Sequence, residues 1–470
     1  MSSLQSGRNE TIVALATANG VGAISIIRLS GLEAIEICNR IFKGKDLEKV
    51  ESHTVHFGTI RTEEKIIDEV LVSVFKAPHS YTKENTVEIS CHGSQYIVNQ
   101  IIQELIKQGA VAAKPGEFTF RAFINGQMDL SQAEAVADLI ASSSEASHQI
   151  AMQQMRGGFS SKLKKLREEL IHFASLVELE LDFSEEDVEF ANRDQMKHLI
   201  EEILKVQAQL IRSFELGNVI KRGVPVVIAG KPNVGKSTLL NALLNEERAI
   251  VSDIAGTTRD TIEDEINIKG ISFRFIDTAG IRDTDDIIEA KGVEKTFEKI
   301  QSSAIVIYLF DPSESNGAEL QKIIQDLLII TTKNKSQLIL VANKTDKQHI
   351  GINLDLATLP FNDDLEKEII KISAIQHLGI DQIEERLLKL IHYNQHQQGD
   401  VILTNIRHVE ALQKSSDALH RVLHGIDNPV TSDFLAMDIK EALHYLGEIT
   451  GAISTDDLLD NIFSKFCIGK

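Results

Sequence analysis

The sequence has few cysteines, and they lie far apart. Its three cysteines are Cys38, Cys91 and Cys467, in a chain of 470 residues. This spacing excludes a disulfide framework and a cysteine-based metal cluster, and it fits a reducing compartment. No apolar run approaches the length of a membrane span, and the N-terminus has no charged stretch followed by an apolar one. We therefore expect a cytoplasmic protein that has no membrane partner.

Basic residues are also fewer than acidic ones. Lys and Arg number 49 against 69 Asp and Glu, which gives a formal net charge of −20. Because nucleic-acid phosphates bind to basic surfaces, this charge balance argues against a protein that binds nucleic acid over a large surface. Any RNA must meet a local basic patch or a basic partner. The chain length, in turn, exceeds what one hydrophobic core usually supports and predicts two or three domains.

What is present is organised around one stretch, Val226 to Thr238. It starts as an apolar run, continues as a loop of the pattern G-x-x-x-x-G-K-S and leads into a helical pattern. Gly230 and Gly235 allow backbone N–H groups to point at phosphate oxygens, and the helix adds the positive end of its dipole. Lys236 can reach the β- and γ-phosphates, and the Ser237 hydroxyl can bind Mg²⁺. The stretch predicts a phosphate-binding loop.

Four further motifs stand in the order typical of a GTPase. Gly256-Thr-Thr-Arg-Asp offers a threonine hydroxyl to complete the Mg²⁺ shell. Asp277-Thr-Ala-Gly supplies an acidic residue near Mg²⁺ and a glycine that senses the γ-phosphate. The carboxylate of Asn343-Lys-Thr-Asp can accept both N–H donors of a guanine edge, which adenine does not offer, and Ser373-Ala fits a backbone contact to the guanine carbonyl. Together they predict a GTPase domain over residues 223–385.

The rest of the chain divides into a mixed region and long helices. Short alternating and helical patterns over 1–126 predict an α+β domain, in which Arg28 and Glu88 interrupt apolar strand patterns. Each is either an exposed charge at a sheet edge or a ligand contact in a cleft. Helical stripes over 127–222 and 386–470 flank the GTPase domain. Because the termini of a compact domain lie close together, we predict that it is inserted into one discontinuous helical bundle.

With these pieces placed, the chain resembles the bacterial tRNA-modification GTPases of the MnmE (TrmE) family over essentially its whole length. The motifs that carry the resemblance are Thr11-Ile-Val-Ala, Ser80-Tyr-Thr, Pro115-Gly-Glu-Phe, Arg121-Ala-Phe, Asp129 to Ile140, Gly256-Thr-Thr-Arg-Asp, Asp277-Thr-Ala-Gly-Ile-Arg and Cys467-Ile-Gly-Lys. The resemblance implies a multi-domain α/β and α fold: an N-terminal α+β domain that dimerises and binds folate, a helical bundle of two chain segments, and an inserted Ras-like P-loop GTPase domain. The implied boundaries are 1–126, 127–222, 223–385 and 386–470.

The resemblance places a folate, (6S)-5-formyl-tetrahydrofolate or a related one, at the N-terminal domain. Arg28, Glu88 and the C-terminal Lys470 are its implied contacts. Gln127 stands where the family usually has a lysine. Its amide can donate a hydrogen bond but cannot neutralise the folate's glutamate tail. Cys467 sits beside the folate-contacting tail, where its thiol either adds to uridine or simply packs.

The resemblance also implies how GTP hydrolysis is catalysed without a glutamine. Ras-type enzymes orient the attacking water with a glutamine after Asp-x-x-Gly, but that position here is Ile281, which cannot form a hydrogen bond. The family uses a K⁺ ion in the place of an arginine finger, and a fixed cation there lowers the barrier electrostatically. Its implied ligands are Asn233, Ser252, Ile254 and Thr257. Glu289 is the implied water-orienting residue, so that catalysis would rest on Glu289, Lys236 and Asn233. Arg259 and Arg282 either stabilise the negative charge that develops on the phosphates or only order the switch loops in which they lie.

Motifs and resemblance together imply the full set of nucleotide contacts. The GTP-binding residues are Asn233, Val234, Gly235, Lys236, Ser237, Thr238, Ser252, Asp253, Ile254, Ala255, Gly256, Thr257, Thr258, Asp277, Thr278, Ala279, Gly280, Asn343, Lys344, Asp346, Ser373 and Ala374. Ser237 and Thr258 would bind Mg²⁺ directly, and Asp277 would contact the ligands of the ion instead of the ion itself.

The implied biochemistry joins the GTPase to tRNA. A homodimer would act with a flavin-dependent partner, MnmG (GidA), in a heterotetramer. Together they would add a carboxymethylaminomethyl-type group to C5 of the wobble uridine of certain tRNAs, with a tetrahydrofolate as one-carbon donor. Two alternatives stay open. A ribosome-assembly GTPase shares the GTPase motifs but would carry a basic RNA-binding module after that domain, and a GTP-gated scaffold would hydrolyse GTP only slowly.

Overall fold

A computed structural model describes most of the chain in two compact units. The described residues are 10–182, 192–246, 264–276, 303–313, 317–334, 336–347, 368–391, 402–428 and 431–469. The first unit comprises Met1–Ile140, Met152–Ala208 and Arg407–Lys470, and the second comprises Ala141–Ala151 and Gln209–Ile406. The finer boundaries after residues 126, 222 and 385 stay predictions.

The described elements alternate short strands with helices of very different lengths. The strands are β1 (Ile12–Leu15), β2 (Ile24–Ser30), β3 (Phe42–Lys43), β4 (Thr54–Arg61), β5 (Ile66–Phe75), β6 (Thr86–His92), β7 (Val111–Ala112), β8 (Val224–Ala229), β9 (Asp264–Ile268), β10 (Ile271–Phe275), β11 (Ile305–Phe310), β12 (Gln337–Ala342) and β13 (Ile369–Lys371). The helices are α1 (Ala34–Ile41), α2 (Gln95–Lys107), α3 (Glu117–Ile124), α4 (Leu130–Ala141), α5 (Glu145–Met155), α6 (Gly158–Asp182), α7 (Arg193–Arg222), α8 (Lys236–Glu246), α9 (Gly317–Asn334), α10 (Ile380–Leu390), α11 (Ile406–Asp427), α12 (Ser432–Thr450) and α13 (Asp456–Phe463). None of the described helices is long and apolar enough to cross a bilayer.

The first unit contains a seven-stranded sheet in the order β3-β4-β5-β6-β2-β1-β7. Only the β1–β7 pair is parallel. Because side chains alternate along a strand, one face carries the apolar residues of β2, β5 and β6, and helices α1 and α2 cover it. Ile27, Val72 and Ile89 are fully buried there. Burying a side chain of this size stabilises the fold by about 1.5–3 kcal/mol.

The opposite face of this sheet carries the charged residues. The strand register sets Glu88 on β6 directly beside Arg28 on β2, and Ser73 on β5 beside Glu88. Both β2 and β6 lie inside the sheet, with neighbours on each side. The interpretation of Arg28 and Glu88 as charges at a sheet edge is therefore wrong.

The long helices of the first unit pack as the predicted stripes require. Leu163, Leu166, Leu170 and Val177 on α6 are all buried. A buried hydrogen-bond chain joins three further helices: Gln207 Nε2 of α7 donates to Ser415 Oγ of α11 over 2.9 Å, and that hydroxyl donates to a carbonyl of α12. The two chain segments on either side of the GTPase domain therefore share one packed helical core.

A cluster of buried charges ties α4 to the start of α11. Arg407 donates to both carboxylate oxygens of Glu134, over 3.0 and 2.8 Å, and His408 Nε2 lies 2.7 Å from the same carboxylate. Burial alone would raise the pKa of Glu134, but the charges and hydrogen bonds of His408 and Arg407 outweigh burial and lower that pKa to about 2. The carboxylate is thus ionised and fully engaged at neutral pH.

The second unit is built on a six-stranded sheet in the order β13-β12-β11-β8-β10-β9. It is parallel except for β9, which pairs antiparallel with β10. Helices α8 and α10 pack on one face and α9 on the other, as in doubly wound α/β folds. The start of α5 also belongs to this unit, because Ala146 N donates to Gly270 O in the β9–β10 turn over 3.0 Å. The predicted combination of an α+β domain, a helical bundle and a P-loop α/β domain is confirmed.

Candidate functional site

The phosphate-binding loop lies between the central strand β8 and helix α8. Gly230 has a φ of +155°, and a Cβ there would lie 2.2 Å from the Leu309 carbonyl oxygen. Gly235 has a φ of +99°, and its Cβ would lie 2.4 Å from Asn343 Nδ2. Asn233, inside the loop, has a φ of +63°. The Leu309 backbone and the Asn343 side chain therefore approach the loop closely, and only glycine fits at both ends.

Lys236 is the first residue of α8, and its side chain folds over the loop. Its Nζ donates to the carbonyl oxygens of Gly230 and Lys231, each over 2.9 Å. An ammonium has three donors, so a phosphate oxygen can take the third. Burial lowers the pKa of the Lys236 ammonium, and an anionic ligand would oppose that shift.

The loops that follow the parallel strands β12 and β13 lie beside the phosphate-binding loop at one edge of the sheet. Asn343 follows β12 and is 2% exposed. Its Nδ2 donates to Val234 O over 2.8 Å, and its Oδ1 accepts from Ala374 N over 3.0 Å. Asn343 therefore ties the phosphate-binding loop to the Ser373-Ala374 loop. The motif predicted a nucleotide contact at this residue; the structure adds this bridging role.

The carboxylate predicted to read guanine is oriented by its neighbour. Ser373 Oγ donates to Asp346 Oδ1 over 2.6 Å, and Ser373 is completely buried. Asp346 itself is exposed, so its carboxylate can accept the N–H donors of a base edge. Thr345 holds the loop to the strand end by donating from N and Oγ1 to Ile372 O.

An acidic residue that the motif analysis missed also lies in this loop cluster. Asp311 follows β11, and its carboxylate contacts Lys344 Nζ over 2.9 Å. The signal in the sequence was an aspartate directly after the buried run Ile305–Phe310, since loops at the carboxyl ends of parallel strands build ligand sites.

Part of the predicted nucleotide site lies outside the described residues. Ser237 and Thr238 stand in the first turn of α8, where Ser237 is half-buried and offers a hydroxyl oxygen of the kind Mg²⁺ prefers. The predicted residues outside the described ranges are Ser252, Asp253, Ile254, Ala255, Gly256, Thr257, Thr258, Asp277, Thr278, Ala279, Gly280, Glu289 and Lys470, together with Ile281 and the alternatives Arg259 and Arg282.

The second candidate site lies on the charged face of the seven-stranded sheet. Arg28 Nε donates to Glu88 Oε1 over 2.8 Å, and the two side chains keep 17% and 24% of their surface exposed. The guanidinium also lies over the rings of Tyr81 and Phe118, with centroids at 5.7 and 5.8 Å. An ion pair between aromatic rings, still open to solvent, suits a planar ligand that carries hydrogen-bonding groups.

The C-terminal tail reaches this ion pair. Arg28 Nη1 lies 3.5 Å from Gly469 O. Gly469 has a φ of +93°, and a Cβ there would lie 2.1 Å from Leu15 O, so the tail lies tightly against β1. Cys467 is exposed and unpaired, and its carbonyl accepts from Gly116 N at the start of α3. Gln127 is exposed in the turn after α3 and forms no hydrogen bond to Arg28 or Glu88 in the described structure.

The quoted motifs Ser80-Tyr-Thr, Pro115-Gly-Glu-Phe and Arg121-Ala-Phe meet beside this site. Arg121 is 6% exposed and pairs with Glu117 over 3.0 Å and with Glu84 over 3.2 Å. Glu84 in turn accepts from Ser30 Oγ at the end of β2. Arg121 thereby fixes α3 against the sheet and holds Phe118 next to Arg28.

Family models and curated relatives match nearly the whole chain. A model described as MnmE helical domain matches residues 130–467, and one described as GTP-binding protein TrmE N-terminus matches residues 11–127. The protein of Cytophaga hutchinsonii named tRNA modification GTPase MnmE is 57% identical over 461 residues, which are 98% of each chain. The protein of that name from Christiangramia forsetii is 55% identical over 98% of this chain and 99% of its own.

The chain belongs to the MnmE family of tRNA modification GTPases. The predicted family resemblance is confirmed, and so is the assignment of the protein as a GTPase. Membership of the MnmE family implies GTP as substrate and Mg²⁺ as its companion ion. The phosphate-binding loop and the loops after β12 and β13 are the described part of the predicted nucleotide site.

Two solved G domains are similar to part of this MnmE-family chain. The FeoB G domain of Methanococcus jannaschii is 22% identical, with a TM-score of 0.24, and aligns with 36% of this chain and 97% of its own. The G domain of the Thermotoga maritima FeoB iron transporter is 21% identical, with a TM-score of 0.25 and the same 36% coverage of this chain.

Proposed function

We propose that this GTPase is activated by K⁺ and acts on tRNA with a flavin-dependent partner, MnmG. The pair would add a carboxymethylaminomethyl-type group to C5 of the wobble uridine, with a formyl- or methylene-tetrahydrofolate as one-carbon donor. The observation that carries the proposal is the full-length match, at 57% identity, to a relative named tRNA modification GTPase MnmE. The ribosome-assembly alternative has no support from these relatives, which are named for tRNA modification.

The chain's own residues contribute binding, orientation and charge to hydrolysis. Lys236 places an ammonium at the mouth of the phosphate-binding loop, and Asn343 and Ser373 fix the loops that would hold the base. Ile281 cannot orient water, so a cation is a chemically reasonable substitute. K⁺, when bound, supplies positive charge beside the phosphates that hydrolysis separates. Asn233, with a φ of +63°, carries an amide oxygen suited to such an ion.

The Arg28–Glu88 pair is the proposed folate contact. Its guanidinium and carboxylate offer donors and acceptors side by side, and Tyr81 and Phe118 flank the guanidinium. These groups fit a fused aromatic ring with amide and amine edges. Folate, when bound, supplies the one-carbon unit. Lys470, the residue after Gly469, and Gln127 are further proposed contacts, and Cys467 is a proposed thiol of the same region.

The homodimer is proposed from an exposed apolar strip on the same sheet face. Val55, Phe57 and Leu71 on β4 and β5 keep 60%, 66% and 47% of their surface exposed. Phe57 and Leu71 are direct cross-strand partners, so the strip is continuous. A second copy of the chain would cover it, because apolar patches on a sheet face mark interaction surfaces. The heterotetramer with MnmG, and a cytoplasmic location, complete the proposal.

The test is GTP hydrolysis by the full-length protein in matched KCl and NaCl. We expect K⁺ to raise turnover by about tenfold or more, because a fixed cation stabilises the charge that develops on the phosphates. Asn233→Ala should lose this acceleration. Lys231→Ala is the matched control, since its side chain forms only an exposed ion pair with Glu319 in the described structure and its carbonyl is retained.

Two outcomes would overturn parts of the proposal. Equal rates in the two salts would remove K⁺ and the role of Asn233. Very slow hydrolysis in both salts would instead favour the GTP-gated scaffold, in which hydrolysis only resets a binding cycle.

A further inference from the structure

Asp311 is a buried carboxylate that neither the motifs nor the proposed reaction uses. It is 1% exposed at the end of β11. It accepts from Ser313 N over 2.9 Å and from Ser313 Oγ over 2.6 Å, and it pairs with Lys344 Nζ over 2.9 Å. Burial alone would raise the pKa of Asp311, but the bonds from Ser313 and Lys344 outweigh burial and lower it. The group is thus a charged anchor at neutral pH.

The partner of this anchor lies at a strained point of the base loop. Lys344 has a φ of +61°, in the left-handed region that a lysine rarely adopts. Such a conformation persists only where the surroundings hold it. On one side of Lys344, Asn343 binds Val234 O and Ala374 N. On the other side, Asp346 is held by Ser373. A rotation at Lys344 would therefore move both neighbours.

We propose that Asp311 is a positioning residue for guanine nucleotides. Its ion pair holds Lys344 in the left-handed conformation and so keeps the Asp346 carboxylate in register with the phosphate-binding loop, which Asn343 contacts. Asp311 does not contact the nucleotide itself, because it acts through Lys344. The inference rests on the GTPase activity of the family and is independent of K⁺, folate and tRNA.

A competing explanation is that Asp311 only closes the turn to Ser313. The same carboxylate accepts two bonds from that residue, so its loss also loosens the turn after β11. The two explanations differ in whether the effect passes through Lys344. They also differ in whether it changes recognition of the base.

The experiment is a double-mutant cycle on GDP affinity, measured by calorimetry on the full-length protein. The variants are Asp311→Asn, Lys344→Met and their combination. Removing one partner of a buried charged pair should weaken GDP binding by about tenfold. In the Lys344→Met background, Asp311→Asn should not weaken GDP binding further, because the ion pair between Asp311 and Lys344 is already absent. Ser313→Ala is the control and should change GDP affinity by less than about twofold.

A second readout separates base recognition from general loosening. Inosine diphosphate lacks the exocyclic amino group of guanine, so the ratio of GDP to IDP affinity reports the contact at Asp346. Asp311→Asn should lower this ratio, and in hydrolysis the loss should fall on KM more than on kcat. A turn that is merely loosened would leave the ratio unchanged.

Three results would overturn the proposal. The first is that Asp311→Asn folds and binds GDP as the wild type does, and the second is that it loses GDP affinity by the same factor in both Lys344 backgrounds. The third is that Lys344→Met leaves the ratio of GDP to IDP affinity unchanged. This variant removes the other partner of the ion pair, so it tests the proposal even if Asp311→Asn fails to fold.

Discussion

The two candidate sites are built from different parts of the chain. The candidate nucleotide site consists of loops at the carboxyl ends of parallel strands, where the side chains of Lys236 and Asn343 bond to backbone carbonyl and N–H groups. The Arg28–Glu88 site consists of side chains in the middle of a largely antiparallel sheet. The first should therefore respond most to changes of backbone conformation and the second to changes of side-chain charge. Four substitutions test this contrast, and their expected effects decrease in the order given.

Gly230→Ala should have the largest effect. The added Cβ would lie 2.2 Å from Leu309 O, which is backbone and cannot move aside, so the loop must distort. We expect GDP affinity to fall by at least about a hundredfold, with a loss of about 3 kcal/mol in the free energy of unfolding. Calorimetric titration and thermal unfolding measure the two quantities.

Gly22→Ala is the control for replacing a glycine. A Cβ there meets nothing closer than Ile24 O at 3.8 Å, so neither quantity should change much. An intact GDP affinity in Gly230→Ala would contradict the dependence of the nucleotide site on backbone conformation.

Glu134→Gln should change acid stability and neither ligand affinity, because Glu134 belongs to neither site. The pKa of Glu134 is lowered from 4.5 to about 2, so its charge stabilises the folded state above about pH 4.5 and loses that effect as the pH falls towards 2. The variant should be less stable at neutral pH by up to about 3 kcal/mol. The difference from the wild type should shrink as the pH falls.

Urea unfolding between pH 7 and pH 3 measures this difference. Glu178→Gln is the matched control, because its pair with Lys440 is half-exposed and contributes little. A difference that is constant with pH would show that Glu134 is not held ionised by its neighbours.

Arg28→Met tests the second site. It removes the charge that Glu88 pairs with and keeps an apolar stem against Tyr81 and Phe118. We expect the affinity for 5-formyl-tetrahydrofolate to fall by about tenfold, because a charge-assisted hydrogen bond is lost, while GDP affinity is unchanged. Isothermal titration with each ligand gives both values.

Arg40→Met controls for the loss of an arginine from an ion pair. Arg40 pairs with Glu36 on α1, where both side chains are largely exposed. If Arg28→Met bound folate as well as Arg40→Met does, the Arg28–Glu88 pair would be structural only.

Ser373→Ala should have the smallest effect. It removes the 2.6 Å bond that orients Asp346 but leaves the backbone of the loop in place. We expect GDP to bind about fivefold more weakly, which corresponds to about 1 kcal/mol for a single hydrogen bond. Ser336→Ala, which removes a buried hydroxyl bond to Ser303 O, should leave GDP affinity unchanged. A larger loss of GDP affinity in Ser373→Ala than in Gly230→Ala would contradict the expectation that the nucleotide site responds most to changes of backbone conformation.

The nucleotide chemistry could be predicted from short stretches of sequence. Phosphate-binding loops need glycine at set positions and a lysine after them, so the spacing of Gly230, Gly235 and Lys236 is enough to predict their role. Strand and helix patterns were equally local: the stripes on α6 and the alternation in β2, β5 and β6 follow from the periodicity of each element.

Contacts between residues far apart in sequence depend on the tertiary structure. It set Arg28 inside the sheet rather than at an edge, brought Gly469 to it from 441 positions away, and paired Glu134 with Arg407 across 273 positions. It also joined Asp311 to Lys344. No local pattern records such contacts, because they depend on strand order and on how helices pack, and those are properties of the whole folded chain.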